Sequence, residues 1–334
     1  MFGMRSLSLA AVGLATATIA AAQTPSPDAG SRPPATFRSG VDVVALNVTV
    51  LDQQQRLIGD LARQDFVVFE DGVRQDISYF ETRDVPLDLA LLIDTSISMT
   101  PNLASVQRAA RQLAAMLRPT DRAAVMAFND RVHVLTSFTS QPEVIATAIG
   151  STRPAGATAL YNAIYVALRE FRRNLAADDT VRRRAIVVLS DGEDTASLLS
   201  FEELMAEARR AGVTIYTIGL RVDATSGYQA ARGRNMFSNA DFEMRALAQE
   251  TGATVHFPKR PSDVADAYAD IGRELSQQYA IGYVSRNPVQ SGKFRRVVVQ
   301  VVDRPGMRPR TRPGYVAGAA TELAMASPAR TTAP

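Results

Sequence analysis

The chain has 334 residues with 37 Lys+Arg, 34 Asp+Glu, 2 His and no Cys or Trp. With 46% hydrophobic and 21% charged residues it carries enough apolar mass for a real core, so wholesale disorder is excluded. Zero Cys excludes disulfide staples, thiolate nucleophiles and iron–sulfur ligation, two His exclude a three-imidazole centre, and a net charge of +3 gives no support to nucleic-acid binding.

Met1 to Ala22 reads as a secretory signal: Arg5, an apolar run from Leu7 to Ala20, then small residues, with cleavage expected after Ala22. The expected location is therefore secreted, periplasmic or otherwise extracytoplasmic. No later segment is long and apolar enough to span a bilayer, so no transmembrane segment is expected in the mature chain. Residues 23–40, with Pro25, Pro27, Pro33 and Pro34, read as a flexible linker.

Residues 41–84 read as β-strands. Val41 to Val50 is β-branched, and Asp65 to Glu70 and Val73 to Phe80 flank Asp71-Gly72, a pair suited to the positive φ angles of a hairpin turn. At Leu87 the pattern changes. Leu87 to Ile93 and Ala185 to Leu189 are apolar runs of the kind found in parallel strands covered on both faces. Strand patterns at Ala123–Phe128, Val132–Phe138 and Val213–Leu220 alternate with helical ones at Ser105–Leu117, Ala159–Phe171, Phe201–Ala211, Asp241–Glu250 and Asp263–Gln278. Ser200 with Glu203 forms a capping-box signature and Gly212 a stop. The alternation over residues 85–278 predicts an α/β domain with a mostly parallel sheet and helices on both faces. Arg182 to Arg184 is expected to be a solvated helix–strand corner. Residues 279–316 return to β, with strands at Tyr279–Val284, Phe294–Val302 and Arg308–Tyr315, and residues 317–334 read as a disordered tail. Two or three strands make a marginal sheet alone, so both flanks are expected to fold into one β-sandwich with the α/β domain inserted.

Asp94-Thr95-Ser96-Ile97-Ser98 directly follows the first buried strand, where ligand sites of open α/β sheets form. Asp191 follows a second buried strand in the same way, and Thr158 lies between them at a helix start. Two carboxylates and three hydroxyls at one sheet edge make an oxygen-only donor set, which suits a hard divalent cation. Mg2+ is favoured, with Mn2+ or Ca2+ possible. Neutral hydroxyls leave such a cation electrophilic and able to attract an acidic group from a partner. Glu193 and Asp194 are read as turn residues, and His133 and His256 as structural or surface residues. Residues 221–240 form a long connection at the same edge. Arg221, Arg232 and Arg234 could pair with an acidic partner there, and Tyr228 and Phe237 could add apolar contact.

The segments LALLIDTSISM, LRPTDRAAVMAF, GATALYNAI and RAIVVLSDGED together resemble the von Willebrand factor type A (VWA) domain, the integrin I-like fold, over about Leu87 to Gln278. The flanking segments are similar to secreted bacterial proteins called VWFA-related. The resemblance implies a metal-ion-dependent adhesion site in which Ser96, Ser98 and Thr158 touch the metal. Asp94 and Asp191 would act directly or through water, and a ligand carboxylate would complete the coordination. Gly156-Ala157 departs from the family's common Gly-Gly, so the residue before Thr158 has less backbone freedom. The expected function is a non-enzymatic binding or adhesion module recognising a protein or surface ligand through the cation. The alternative is a structural or assembly component of the cell envelope that works through the sandwich. No P-loop or dinucleotide fingerprint is present, and no general base is evident beyond the ligands themselves.

Overall fold

The computed structural model describes residues 42–82, 85–175, 181–191, 193–220, 238–287, 292–318 and 323–324. The expected signal segment and linker lie outside the described residues.

The central sheet has six strands: β5 (Leu87–Asp94), β6 (Arg122–Phe128), β7 (Val132–Thr139), β8 (Arg183–Ser190), β9 (Thr214–Gly219) and β10 (Val255–His256). Their order is β10-β9-β8-β5-β6-β7, parallel throughout except for the antiparallel edge strand β7. Every residue of β5 and β8 is buried, the consequence of helices on both faces. Period two along β5 divides the cores. Leu89, Leu91 and Ile93 pack with α1 (Leu103–Ala115), α2 (Pro142–Ser151) and α6 (Val264–Gln277). Ala90 and Leu92 pack with α3 (Leu160–Leu175), α4 (Phe201–Ala211) and α5 (Asn239–Thr251). Ser200 caps α4 with its Oγ accepting from Glu203 N, and Gly212 ends that helix at φ 61°. Helix α2 was not among the expected elements. Pro142 at its first turn and Ile145, Ala148 and Ile149 on one face are the signals that mark it.

The N- and C-terminal strands build two antiparallel sheets. One has the order β13-β1-β11-β4, from β13 (Arg308–Arg310), β1 (Asp42–Leu51), β11 (Tyr279–Val284) and β4 (Ile77–Glu81). The other has the order β14-β12-β2-β3, from β14 (Gly314–Val316), β12 (Phe294–Val301), β2 (Phe66–Glu70) and β3 (Val73–Gln75). Both sheets interleave strands from the two flanks. A shared core that includes Val44, Leu46, Val48, Phe66, Val68, Tyr279, Ile281, Val297 and Val299 lies between them. The chain leaves at β4 and returns at β11, which pair through Phe80↔Ile281 and Glu81↔Ala280, so the α/β unit is an insertion between neighbouring strands.

Three expectations about the flanking strands change. Val73–Phe80 is two strands in different sheets, because the chain crosses from one layer to the other at Asp76. Arg308–Tyr315 divides likewise, with β13 on β1 and β14 on β12. Pro313, which lacks a ladder donor, sits at the crossing. Leu323 and Ala324, within the expected tail, add a short strand (β15) to β1.

Arg183 and Arg184 are buried, not a solvated corner, and Arg182 is nearly so. Arg182 Nε donates to Asp88 Oδ1 at 2.6 Å, and Arg122 pairs with Asp88 Oδ2 at 2.7 Å. Arg183 Nε donates to Val85 O at 3.3 Å and its Nη1 to Leu275 O. The sandwich meets this end of the α/β unit through polar contacts. Asn47 Nδ2 donates to Thr214 Oγ1 at 3.2 Å and the Thr49 hydroxyl to Glu274 Oε1 at 3.2 Å, an oxygen that also accepts from Tyr216 Oη within the α/β unit at 2.6 Å. Arg310 also pairs with Glu274.

Candidate metal centre

Strand β5 delivers Asp94 to the carboxyl edge of the sheet, fully buried. Its Oδ1 accepts from Ser96 N at 2.8 Å and its Oδ2 from Ser190 Oγ at 2.6 Å. The turn then enters a short 3-10 helix, Ile97–Met99, that sets the Oγ atoms of Ser96 and Ser98 3.0 Å apart. Ser96 is buried and Ser98 exposed. Asp191 leaves β8 half-buried at the same edge.

Thr158 is brought to this turn by backbone stitching. Thr95 O accepts from Ala155 N at 2.7 Å and Gly156 O from Ile97 N at 3.1 Å. Asn129 O accepts from Ala159 N at 2.6 Å. From the other side Thr158 O accepts from Thr195 N at 2.8 Å, while Thr158 N donates to Thr195 Oγ1 at 3.1 Å. Gly156 has φ +68°, and a Cβ there would lie 2.4 Å from Asp130 Oδ1. The left-handed position is therefore Gly156, and Ala157 is not among the positive-φ residues, so a second glycine is not needed to make this turn.

Burial raises the Asp94 carboxyl to about 6, against the hydrogen bonds from Ser190 and Ser96, and the Asp191 carboxylate nearby adds to the rise. The partners described for Asp94 include no cation. Other buried carboxylates are paired: Asp88 with Arg122 and Arg182, Asp121 with Arg118, and Glu70 with Arg295. Among the described residues an ionised Asp94 meets no neutralising partner of the kind a buried carboxylate requires. Each of its oxygens keeps a lone pair beyond the hydrogen bond it accepts. Together with three hydroxyls and Asp191, that set has the chemistry of a hard-cation site. Among the described residues no group of three or more His, Cys, Asp or Glu gathers as a metal cluster. The set at this edge is two carboxylates with hydroxyls.

The family match rests on sequence. Residues 88–260 match the von Willebrand factor type A domain, more than half of the chain. The chain belongs to the VWA family. Its fold is similar to the vWF domain of the type V pili tip protein Mfa5 from Porphyromonas gingivalis, at 15% identity, 61% of this chain and 98% of that one, TM-score 0.43. A von Willebrand factor type A protein from Catenulispora acidiphila is similar over 88% of this chain and 78% of its own, at 14% identity and TM-score 0.46. Proximal thread matrix protein 1 from the mussel byssus, in a structure with a zinc-occupied MIDAS motif, is similar at 17% identity, covering 61% of this chain and 48% of its own, TM-score 0.47. No curated protein matches the chain.

In this VWA chain Ser190 is the residue that sequence reading passed over. Its hydroxyl holds Asp94 Oδ2, and its place beside Asp191 was the available signal. Asp194 behaves as the turn residue expected, accepting from Ser197 Oγ at 2.6 Å and Tyr161 N at 3.2 Å at the start of α3. His133 lies exposed on β7. His256 Nε2 is 3.2 Å from Thr254 Oγ1, and burial lowers its pKa. The expected ligand-pairing residues Arg221, Tyr228, Arg232, Arg234 and Phe237 lie outside the described residues. No helix among the described residues is long and apolar enough to cross a membrane.

Proposed function

We propose that this VWA protein is a non-enzymatic binding module that recognises a protein or surface partner through a divalent cation, Mg2+ by preference. Asp94, Ser96, Ser98, Thr158 and Asp191 would hold the cation. When bound, it supplies a Lewis-acidic position for a carboxylate of the partner. The observation that carries this reading is Asp94, a fully buried carboxylate whose described partners are a hydroxyl and an amide. The other residues act on position. Ser190 and Ser96 N orient the Asp94 carboxylate, and the Thr195 clasp fixes the Thr158 backbone. In this reading Met1 to Ala22 exports the chain, so the site meets millimolar extracytoplasmic cations. Within the connection 221–240, Arg221, Arg232 and Arg234 would pair with acidic groups of the partner, and Tyr228 and Phe237 would add apolar contact.

Titration calorimetry with Mg2+, Mn2+ and Ca2+ on the wild type, Asp94→Ala and Ser96→Ala tests it. The expected result is one cation per chain in the wild type and loss of binding in Asp94→Ala. A wild type that takes up no cation overturns the reading and shifts the working surface to the sandwich.

A further inference from the structure

The joint between the sandwich and the α/β unit carries guanidinium groups that no described carboxylate meets. Asp88 is taken by Arg122 and Arg182, and Asp121 by Arg118. Arg183, Arg184 and Arg312 are also buried there, and none of them forms an ion pair with a described residue. Arg183 donates to two backbone carbonyls, Val85 O and Leu275 O. Arg312 donates through Nη2 to Ala45 O at 2.9 Å and lies over the Tyr315 ring, while its Nε and Nη1 are buried without a hydrogen-bond partner. Arg184, 8% exposed, makes no side-chain hydrogen bond with any described residue. Burial lowers its pKa to about 10, against the pull of Asp88, and Arg312 is near enough to add to the fall. At neutral pH it is still a cation, and a buried cation calls for a counter-charge.

Arg184 lines a cavity of about 40 Å³ with Arg182, Arg183 and Tyr79, between strands β1, β4 and β11 of the sandwich and the start of β8. No Asp or Glu is among the described residues that line it. Tyr79 reaches it from the sandwich, and its hydroxyl makes no hydrogen bond with a described residue. Burial raises the Tyr79 pKa, so the group stays protonated and able to donate. The volume admits a few water-sized occupants at most, far below the roughly 300 Å³ of an organic-ligand pocket. We infer that this cavity binds one small monovalent anion of the halide class, chloride foremost, held by Arg184 and the hydroxyl of Tyr79. Its single charge matches the one lining guanidinium that has no acceptor. The anion bridges β4 of the sandwich and β8 of the α/β unit, at the end of the sheet opposite Asp94. Because it binds only the assembled joint, it stabilises the folded chain by mass action.

Thermal unfolding of the full chain is measured in EDTA at equal ionic strength, in sodium gluconate, chloride or bromide. EDTA keeps the result independent of the cation site, and gluconate is too large for the cavity. The variants are Arg184→Met, which removes the charge, and Tyr79→Phe, which removes a hydroxyl that bonds no described residue and so preserves folding. The expected result is a melting temperature about 2–4 °C higher in either halide than in gluconate, rising to a plateau with concentration. That gain should fall by about half or more in Tyr79→Phe and vanish in Arg184→Met. Bromide-soaked wild-type crystals should show an anomalous-scattering peak in contact with the Arg184 guanidinium, a readout that does not depend on either variant folding. Equal melting in halide and gluconate, a halide gain that both variants keep, or bromide peaks only elsewhere each overturns the inference. Asp178 and Asp179 lie outside the described residues and precede Val181, which also lines the cavity. A halide gain that is absent in the wild type and emerges only in Asp178→Asn/Asp179→Asn would make one of these carboxylates the counter-charge and overturn the anion site.

Discussion

Asp88 and Asp94 stand at the two ends of one buried strand, and their surroundings are opposite. Asp88 is held between Arg122 and Arg182, at 2.7 and 2.6 Å, at the amino end that meets the sandwich. Asp94, at the carboxyl end, is held by a serine hydroxyl and an amide, with Asp191 near enough to push its pKa up. The same side chain is neutralised internally at one end and, among the described residues, meets no cationic partner at the other. The amino edge is built as a joint, and the carboxyl edge holds the proposed site. Parallel strands supply the reason: their carboxyl ends open into loops that can converge, while here their amino ends are covered by the sandwich.

The largest expected effect breaks the paired end. Asp88→Ala leaves Arg182 and Arg122 facing each other with little solvent, and should cost about 3–5 kcal/mol in urea unfolding. Cation uptake at Asp94 should be unchanged, and a parallel loss would mean that the two edges are not independent.

Glu70 sharpens the contrast, because it is the paired carboxylate of the sandwich core. Burial pushes it up, but hydrogen bonds from Ser285, Tyr315 and Tyr283 and the Arg295 guanidinium outweigh burial and hold its pKa below the ordinary value. A carboxyl depressed in the folded state stabilises fully above its unfolded pKa of about 4.3 and loses that contribution as pH falls through the folded value. The stability difference between wild type and Glu70→Gln should therefore be constant from neutral pH down to about 5 and shrink below about 4. A difference that grows on acidification would reverse the assignment.

At the carboxyl end the effect should be smaller and conditional. Mg2+ at ten times its dissociation constant should add about 1.4 kcal/mol to the wild type and nothing to Asp94→Ala, read as a thermal shift. The smallest effect serves as a control for both ends. Ser200→Ala removes the α4 cap and should cost about 1 kcal/mol without altering cation uptake.

Much of this was legible in the sequence. Apolar runs ending in Asp94 and Asp191 announce buried parallel strands and place both carboxylates at one edge, because a parallel sheet aligns the ends of its strands. The Ser200/Glu203 box and the Asp71-Gly72 turn, with φ of 48° and 82°, are local rules that hold without tertiary help. Arg182 to Arg184 shows the limit. Charge density suggests solvent, and only the approach of Asp88, Val85 O and Leu275 O from distant segments makes burial tolerable. The divided strands at Asp76 and Pro313 are hidden for a related reason, since which sheet a residue joins depends on partners more than 200 positions away, as in Tyr79↔Gly282. What the sequence by itself determined is the family, most of the order of strands and helices, and the donor types at the carboxyl edge, all properties of short segments. Only the tertiary structure decided that Asp88 meets arginines while Asp94 meets hydroxyls. Neutralising a buried charge depends on what the rest of the chain brings within hydrogen-bonding distance.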